Sequence, residues 1–157
     1  MKVLFIQVGK TANRHLAALA DEYAARVARY LPFEQATVPD LRNTRAMPPE
    51  RQKQLEGEGI RRLLREGDYL VLLDERGEER RSLDFARWLG QRTGGTARRL
   101  VFAIGGPYGF SDEVYALAQE QISLSRMTFS HQMVRLFFTE QLYRALTILR
   151  GEPYHHE

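Results

Sequence analysis

The sequence predicts an α/β protein: a parallel sheet flanked by helices on both faces. Three runs, residues 2–8 (KVLFIQV), 69–74 (YLVLLD) and 100–104 (LVFAI), are apolar almost throughout, as strands buried on both sides are. Amphipathic stretches of helical spacing separate them. No repeat or low-complexity segment interrupts the alternation, and strand–helix–strand order implies right-handed crossovers.

Each element carries its own signals. Gly9 closes the first strand. Residues 13–30 place Leu16, Leu19, Ala20, Tyr23, Val27 and Tyr30 on one helical face, with Asn13 as N-cap and Pro32 forbidding continuation. Residues 33–38 (FEQATV) alternate weakly, as an edge strand does, and 39–47 form a polar loop. A helix starts near Pro48-Pro49-Glu50, because proline is tolerated in a first turn, and runs through Ile60, Leu63 and Leu64 to Gly67. Strand 69–74 leads into a loop, 75–81 (ERGEERR). Ser82 caps a helix to about Gln91 that turns Phe85, Ala86 and Leu89 inward, and Thr93 to Thr96 form a turn. Strand 100–104 ends in Gly105-Gly106-Pro107-Tyr108-Gly109-Phe110. Ser111 caps a short helix with Val114, Leu117 and Ala118, and 121–130 combine a short strand with a loop. A long helix, 132–149, buries Met133, Leu136, Phe137, Leu142, Leu146 and Leu149. Rings at both Phe137 and Phe138 mean that it is covered on more than one side, which in so short a chain points to a second copy.

Composition bounds the function. A chain of 157 residues fits one domain, 1–157, and 43% apolar with 27% charged residues is a globular balance. The absence of cysteine excludes disulfides, thiolate-bound metals and thiol nucleophiles, and favours the cytoplasm. No apolar run spans a bilayer, and residues 2–8 read as a strand rather than a leader. The net charge of +3 comes mostly from arginine, 20 residues against 3 lysines. That bias suits a phosphate-rich partner, and a preference for arginine codons would produce it as well.

In parallel sheets ligands bind beyond the carboxyl ends of the strands, so the informative loops follow Leu73, Ile104 and Leu124. The loop IGGPYGF lets backbone approach a ligand closely. Its G-G-x-x-G spacing and Pro107 do not fit a dinucleotide fingerprint, and no Gly-Lys-Ser/Thr follows for a P-loop. Such a wall suits a flat uncharged group such as adenine, or is a plain strand-to-helix turn. Asp74 can accept from a ribose hydroxyl or a cationic ligand, or bond nearby amides. The most distinctive stretch is LSRMTFSHQMVRLFFTEQLYRA, residues 124–145, where His131 is a base, a stacking group or a structural residue. The histidines His15, His131, His155 and His156 have no metal-ligand spacing, so no metal is expected, and no G-x-S-x-G elbow occurs.

IGGPYGFS, LSRMTFSHQMVRLFFTEQLYRA and the terminal PYHHE together resemble the ribosomal RNA large subunit methyltransferase H family of the SPOUT class, from Met1 to the end of the chain. The resemblance implies a trefoil-knotted α/β fold, a homodimer and S-adenosylmethionine as methyl donor. It also implies methylation of N3 of a pseudouridine in 23S rRNA of assembled ribosomes. Carried over by position, Leu73, Gly105, Leu124, Ser125, Arg126, Met127, Thr128 and Phe129 form the cofactor pocket, Arg126 and Phe129 through backbone atoms. The tail departs from the family ending at His156, where a basic residue is common.

Methylating an imide nitrogen requires removal of its proton. His131, His155, Asp74 and the cofactor's own carboxylate are candidate acceptors, with Arg135 or Arg144 stabilising charge on the carbonyls. Tyr154 and His155 are expected to hold the target base, supported by Arg135, and Arg14, Arg76, Arg80, Arg81, Arg98 and Arg99 to meet phosphates. A knotted enzyme acting on another RNA atom, or a non-catalytic RNA-binding factor, would carry many of the same features.

Overall fold

The computed structural model describes residues 1–157. One parallel sheet has the strand order β2-β1-β4-β3-β5. Its strands are β1 Lys2–Val8, β2 Phe33–Val38, β3 Asp68–Glu79, β4 Arg99–Ile104 and β5 Glu120–Ser123. The helices are α1 Arg14–Ala28, α2 Pro49–Leu63, α3 Ser82–Thr93, α4 Asp112–Leu117 and α5 His131–Leu149, with a 3₁₀ turn at Thr44–Ala46. The expected α/β class is what the chain adopts.

Alternation within the apolar runs builds the layers. In β1, Val3 and Phe5 join one core while Leu4, Ile6 and Val8 join the other, and β3 and β4 divide in the same way. The first face is covered by α1, α3 and α5 through Val27, Leu89, Phe138 and Leu142. The second is covered by α2 and α4 through Ile60 and Val114. Phe138 is fully buried, with ring centroids 4.8 Å from Phe5 and 4.7 Å from Phe102. Truncating such a ring to alanine costs about 3–5 kcal/mol, so this contact does much to fix α5 on the sheet.

Most helix starts follow their caps. The Asn13 side chain accepts from the His15 and Leu16 amides, Ser111 from Val114, and Ser130 from Gln132 and Met133. Ser82 is a correction. It is the first helical residue rather than the cap, and its hydroxyl donates to Gln141 Oε1 at 3.0 Å.

β3 is a second correction, because residues 75–79, expected as loop, continue the strand. Ile122 pairs with both Leu73 and Glu78. Gly77 lies against the Gln121–Ile122 peptide: a Cβ there would come within 2.6 Å of the Gln121 carbonyl carbon and the Ile122 nitrogen. Residues 74–77 therefore form an irregular excursion pressed against the β5 backbone and return Glu78 and Glu79 to a second pairing. Nothing apolar marks this polar stretch as a strand, since the pairing is supplied from a distant part of the chain.

α5 also differs in what it covers. Leu136, Leu142 and Leu146 are buried as expected, whereas Met133, Phe137 and Leu149 are 38%, 38% and 46% exposed. No helix is long and apolar enough to cross a membrane.

Candidate active site

The middle of β3, at residues 73–76, and the carboxyl ends of β4 and β5 enclose a cavity of about 480 Å³. Its walls come from residues 73–76, 104–110 and 122–131, Arg126 excepted, with Tyr115 and Val134. The three loops singled out by the strand-end rule thus meet in one place. Leu73, Gly105, Leu124, Ser125, Met127, Thr128 and Phe129 all line the cavity. Arg126, expected to contribute backbone, is absent from the lining, and its exposed side chain donates through Nε to Glu79 at 2.8 Å.

The glycine wall has steric causes. The chain folds back so that a Cβ on Gly105 would lie 3.0 Å from the Gly109 carbonyl oxygen. Gly109 itself has φ +81, in the left-handed region that favours glycine, and its amide donates to Gly106 O at 3.1 Å. Behind Gly106 sits the carboxyl of Glu56, 3% exposed, with Oε1 unpartnered. Burial pushes this carboxyl up, a hydrogen bond from Gln52 opposes the shift, and the charge of Asp40 adds to it. Glu56 was invisible to sequence reasoning, because one acidic residue in a polar helix gives no sign of facing inward.

At the cavity floor, Asp74 Oδ2 accepts from the Tyr115 hydroxyl and Oδ1 accepts from the Arg76 amide at 2.8 Å. Burial, then the bond to Asp74, pushes the Tyr115 phenol up to about 12, so it stays a donor at neutral pH. The charged carboxylates of the lining are Asp74 and Glu75, against the single guanidinium of Arg76. Such a set suits a neutral or cationic ligand better than a polyphosphate. His131 also lines the cavity, and burial followed by the charge of Arg135 lowers its pKa. It is a neutral imidazole at pH 7, able to accept a proton.

Arg135 corrects the expectation that it meets the substrate. It is 1% exposed, and its guanidinium donates to Val8 O at 2.6 Å, Gly9 O at 2.7 Å and Thr11 Oγ1 at 3.1 Å. It fastens α5 to the end of β1 and touches nothing in the cavity.

Tyr154 and His155 lie outside the cavity, against their own α5. The Tyr154 hydroxyl donates to Glu140 Oε1 at 2.9 Å, and its ring packs on Tyr143 at 4.6 Å. Burial, then Tyr23 and Glu140, raises its pKa. Arg144 donates to Glu140 at 2.6 Å and to His155 Nδ1 at 3.2 Å. A guanidinium can only donate, so Nδ1 is the acceptor and the proton of a neutral ring sits on Nε2. That Nε2 is buried and has no partner. The unforeseen hub is Glu140. Its spacing from Arg144 was the available signal, since an i,i+4 pair holds both side chains on one face. Glu140 also lines a second cavity, of about 270 Å³, which shares Ile122 to Leu124 and Phe129 with the first.

Of the expected phosphate contacts, Arg80 is paired with Glu78 and Glu120, Arg81 with Glu157, and Arg99 with Asp68. Arg98 and Arg99 stand at the amino end of β4, the edge opposite the cavity. Arg14 and Arg76 are exposed near the carboxyl edge.

A family model described as "Predicted SPOUT methyltransferase" matches residues 1–155. Proteins named ribosomal RNA large subunit methyltransferase H are similar over the whole chain and their own whole length: 52% identical in Bacteroides fragilis and 50% in Bacteroides thetaiotaomicron, each over 157 residues. A solved structure of a probable methylase family protein from Haemophilus influenzae Rd KW20 aligns with 99% of this chain and 70% of its own, at 10% identity and a TM-score of 0.50. That last likeness is one of fold alone.

Proposed function

The chain belongs to the ribosomal RNA large subunit methyltransferase H family of SPOUT methyltransferases, and we propose that it methylates N3 of a pseudouridine in 23S rRNA of the assembled ribosome. Membership makes it an S-adenosylmethionine-dependent methyltransferase. The observation that carries the reading is the cavity in which residues 73–76 of β3 and the loops after β4 and β5 converge. Its volume, its glycine wall and its slight acidity fit the methyl donor, which supplies an electrophilic methyl on a positive sulfur.

The chain's own residues divide the work. Leu73, Gly105 and Leu124 give apolar and backbone walls for the adenosine, and Ser125, Met127, Thr128 and Phe129 close over it. Such a cradle fixes the methyl in line with the attacking nitrogen, and positioning can supply several kcal/mol of the barrier. His131, neutral and at the rim, is the protein group suited to take the imide proton. His155 has the opposite aptitude. With Nδ1 held by Arg144, a neutral ring carries its proton on Nε2, which is covered and unpartnered in the single chain, and a shift of the tail would offer it to a uracil carbonyl where negative charge develops. Tyr154 holds the tail against Glu140 and meets the Tyr143 ring edge-on.

Because the tail lies outside the cavity of its own chain, it serves the site of a second copy in a homodimer. The exposed apolar side chains of Met127 and Phe129 in the cavity lining and of Met133 and Phe137 on α5 support that association. We read the chain as one SPOUT domain, with residues 74–77 against β5 as part of the trefoil knot, working in the cytoplasm without a metal. The test is methyl transfer to ribosomes from a strain lacking the modification, followed by mass mapping. A new methyl on the imide nitrogen of one 23S pseudouridine supports the reading. Transfer to a ribose hydroxyl or another base, or none from a folded dimer that binds the donor, replaces it with a neighbouring activity or a non-catalytic factor.

A further inference from the structure

The loops that follow β1 and β2 emerge side by side, since Val8 and Val38 are register partners. They share the carboxyl edge of the sheet with the cavity. The first loop carries Lys10 and leads to Arg14 and His15, and the second carries Arg42 and Arg45. All five side chains are exposed. None of Lys10, Arg14, Arg42 or Arg45 is in an ion pair, although twelve such pairs occupy cations elsewhere. The one carboxylate between them, Asp40, accepts from the Lys10 amide and fills the space beside Gly9.

The edge is built rather than loose. Arg135 clamps Val8, Gly9 and Thr11 from below. Gln132 accepts from the Ala12 amide at 2.9 Å and donates to Lys10 O at 3.1 Å. Gln132 is the immediate neighbour of His131, so the basic loop is tied directly to the cavity rim. Asn43, at φ 58, is the only residue other than glycine in the left-handed region, and it precedes the turn that presents Arg45. The helix starts reinforce the charge. Neither α1 nor α5 has an acidic residue in its first turn, so the positive ends of both dipoles add to the free cations.

We propose that residues 9–15 and 39–47 form the seat for the RNA phosphate backbone next to the target nucleotide, with Lys10, Arg14, Arg42 and Arg45 as the contacts. This rests on the reading that ribosomal RNA is the substrate. Uncommitted cations beside the mouth of the donor cavity match a polyanion whose target base meets the methyl at that opening while its backbone lies along the sheet edge.

The test compares wild type with Arg42→Glu/Arg45→Glu and with Arg42→Lys/Arg45→Lys. Three quantities are read: donor affinity by titration, binding to a 23S rRNA fragment at several salt concentrations, and KM and kcat on unmodified ribosomes. Charge reversal is expected to weaken RNA binding and raise KM at least about tenfold, and to lower the salt slope by about 2. Donor affinity stays the same, and the lysine pair restores most of the binding. Unchanged RNA affinity and salt slope in the reversed variant overturn the seat. So does a variant that binds the fragment normally yet fails only on intact particles, since the loops would then face a ribosomal protein. Wild-type protein that binds RNA in this way but transfers no methyl leaves the seat standing and removes the proposed reaction instead.

Discussion

The carboxyl of Glu56 fills the space that a side chain on Gly106 would need: an added Cβ would lie 2.8 Å from Oε1 and closer still to Oε2. Glu56 is buried in α2, so it has little room to withdraw. Gly106→Ala is therefore expected to push the glycine wall into the cavity and weaken donor binding about tenfold. Glu56→Ala in the same chain removes the obstacle and recovers most of the affinity. Gly105→Ala meets the Gly109 backbone instead and is not rescued by Glu56→Ala. Calorimetric titration of wild type and the four variants decides the matter.

The same carboxyl predicts a pH dependence. Its folded pKa is raised above the ordinary 4.5, chiefly by burial, so the folded state holds the proton more tightly than the unfolded chain does. The contribution is fully present below pH 4.5 and is lost as pH rises through the folded value. Glu56→Gln keeps the shape and cannot ionise. It is expected to melt higher than wild type at pH 8, with the difference closing towards pH 4. A difference independent of pH would show that Glu56 does not titrate between those limits.

Gly77 lies against the β5 backbone, and no flexible side chain there can give way. Gly77→Ala is expected to cost at least about 1–3 kcal/mol in urea denaturation, as overpacking does. A neutral result would mean that residues 74–77 are not pressed against the strand.

These positions show what a sequence can and cannot disclose. The three apolar runs were readable because strands buried on both faces need apolar residues at every position, and β1, β3 and β4 follow them closely. The cavity was legible as three strand ends, because the location of loops in a parallel sheet follows from topology. The extension of β3 was hidden, since its pairing depends on Ile122, more than forty residues away. The place of Arg135 was hidden for a related reason. A helical arginine looks the same whether it faces RNA or the carbonyls of Val8 and Gly9.

Arg135 holds two buried carbonyls, and its removal leaves both without a donor. Arg135→Met is expected to lose about 2–4 kcal/mol of stability, because each unsatisfied buried group costs about 1–3 kcal/mol. RNA binding should weaken with it, since the Lys10 loop loses its clamp. Full stability in this variant would return Arg135 to the list of free side chains.

The exposed rings and thioethers of α5 predict association. Met133→Glu/Phe137→Glu is expected to sediment as a monomer, to keep its helical content and to lose methyl transfer, because Tyr154 and His155 no longer reach a neighbouring cavity. A dimer that survives both charges places the contact on another face.

A crystal structure of the protein with S-adenosylmethionine tests the central claim most directly. The account predicts the adenosine against Leu73, Gly105 and Leu124, enclosed by Ser125 to Phe129, with the methyl facing the opening beside His131. Density for the compound at any other place, or a well-folded dimer that leaves these loops empty at saturating concentration, would contradict it.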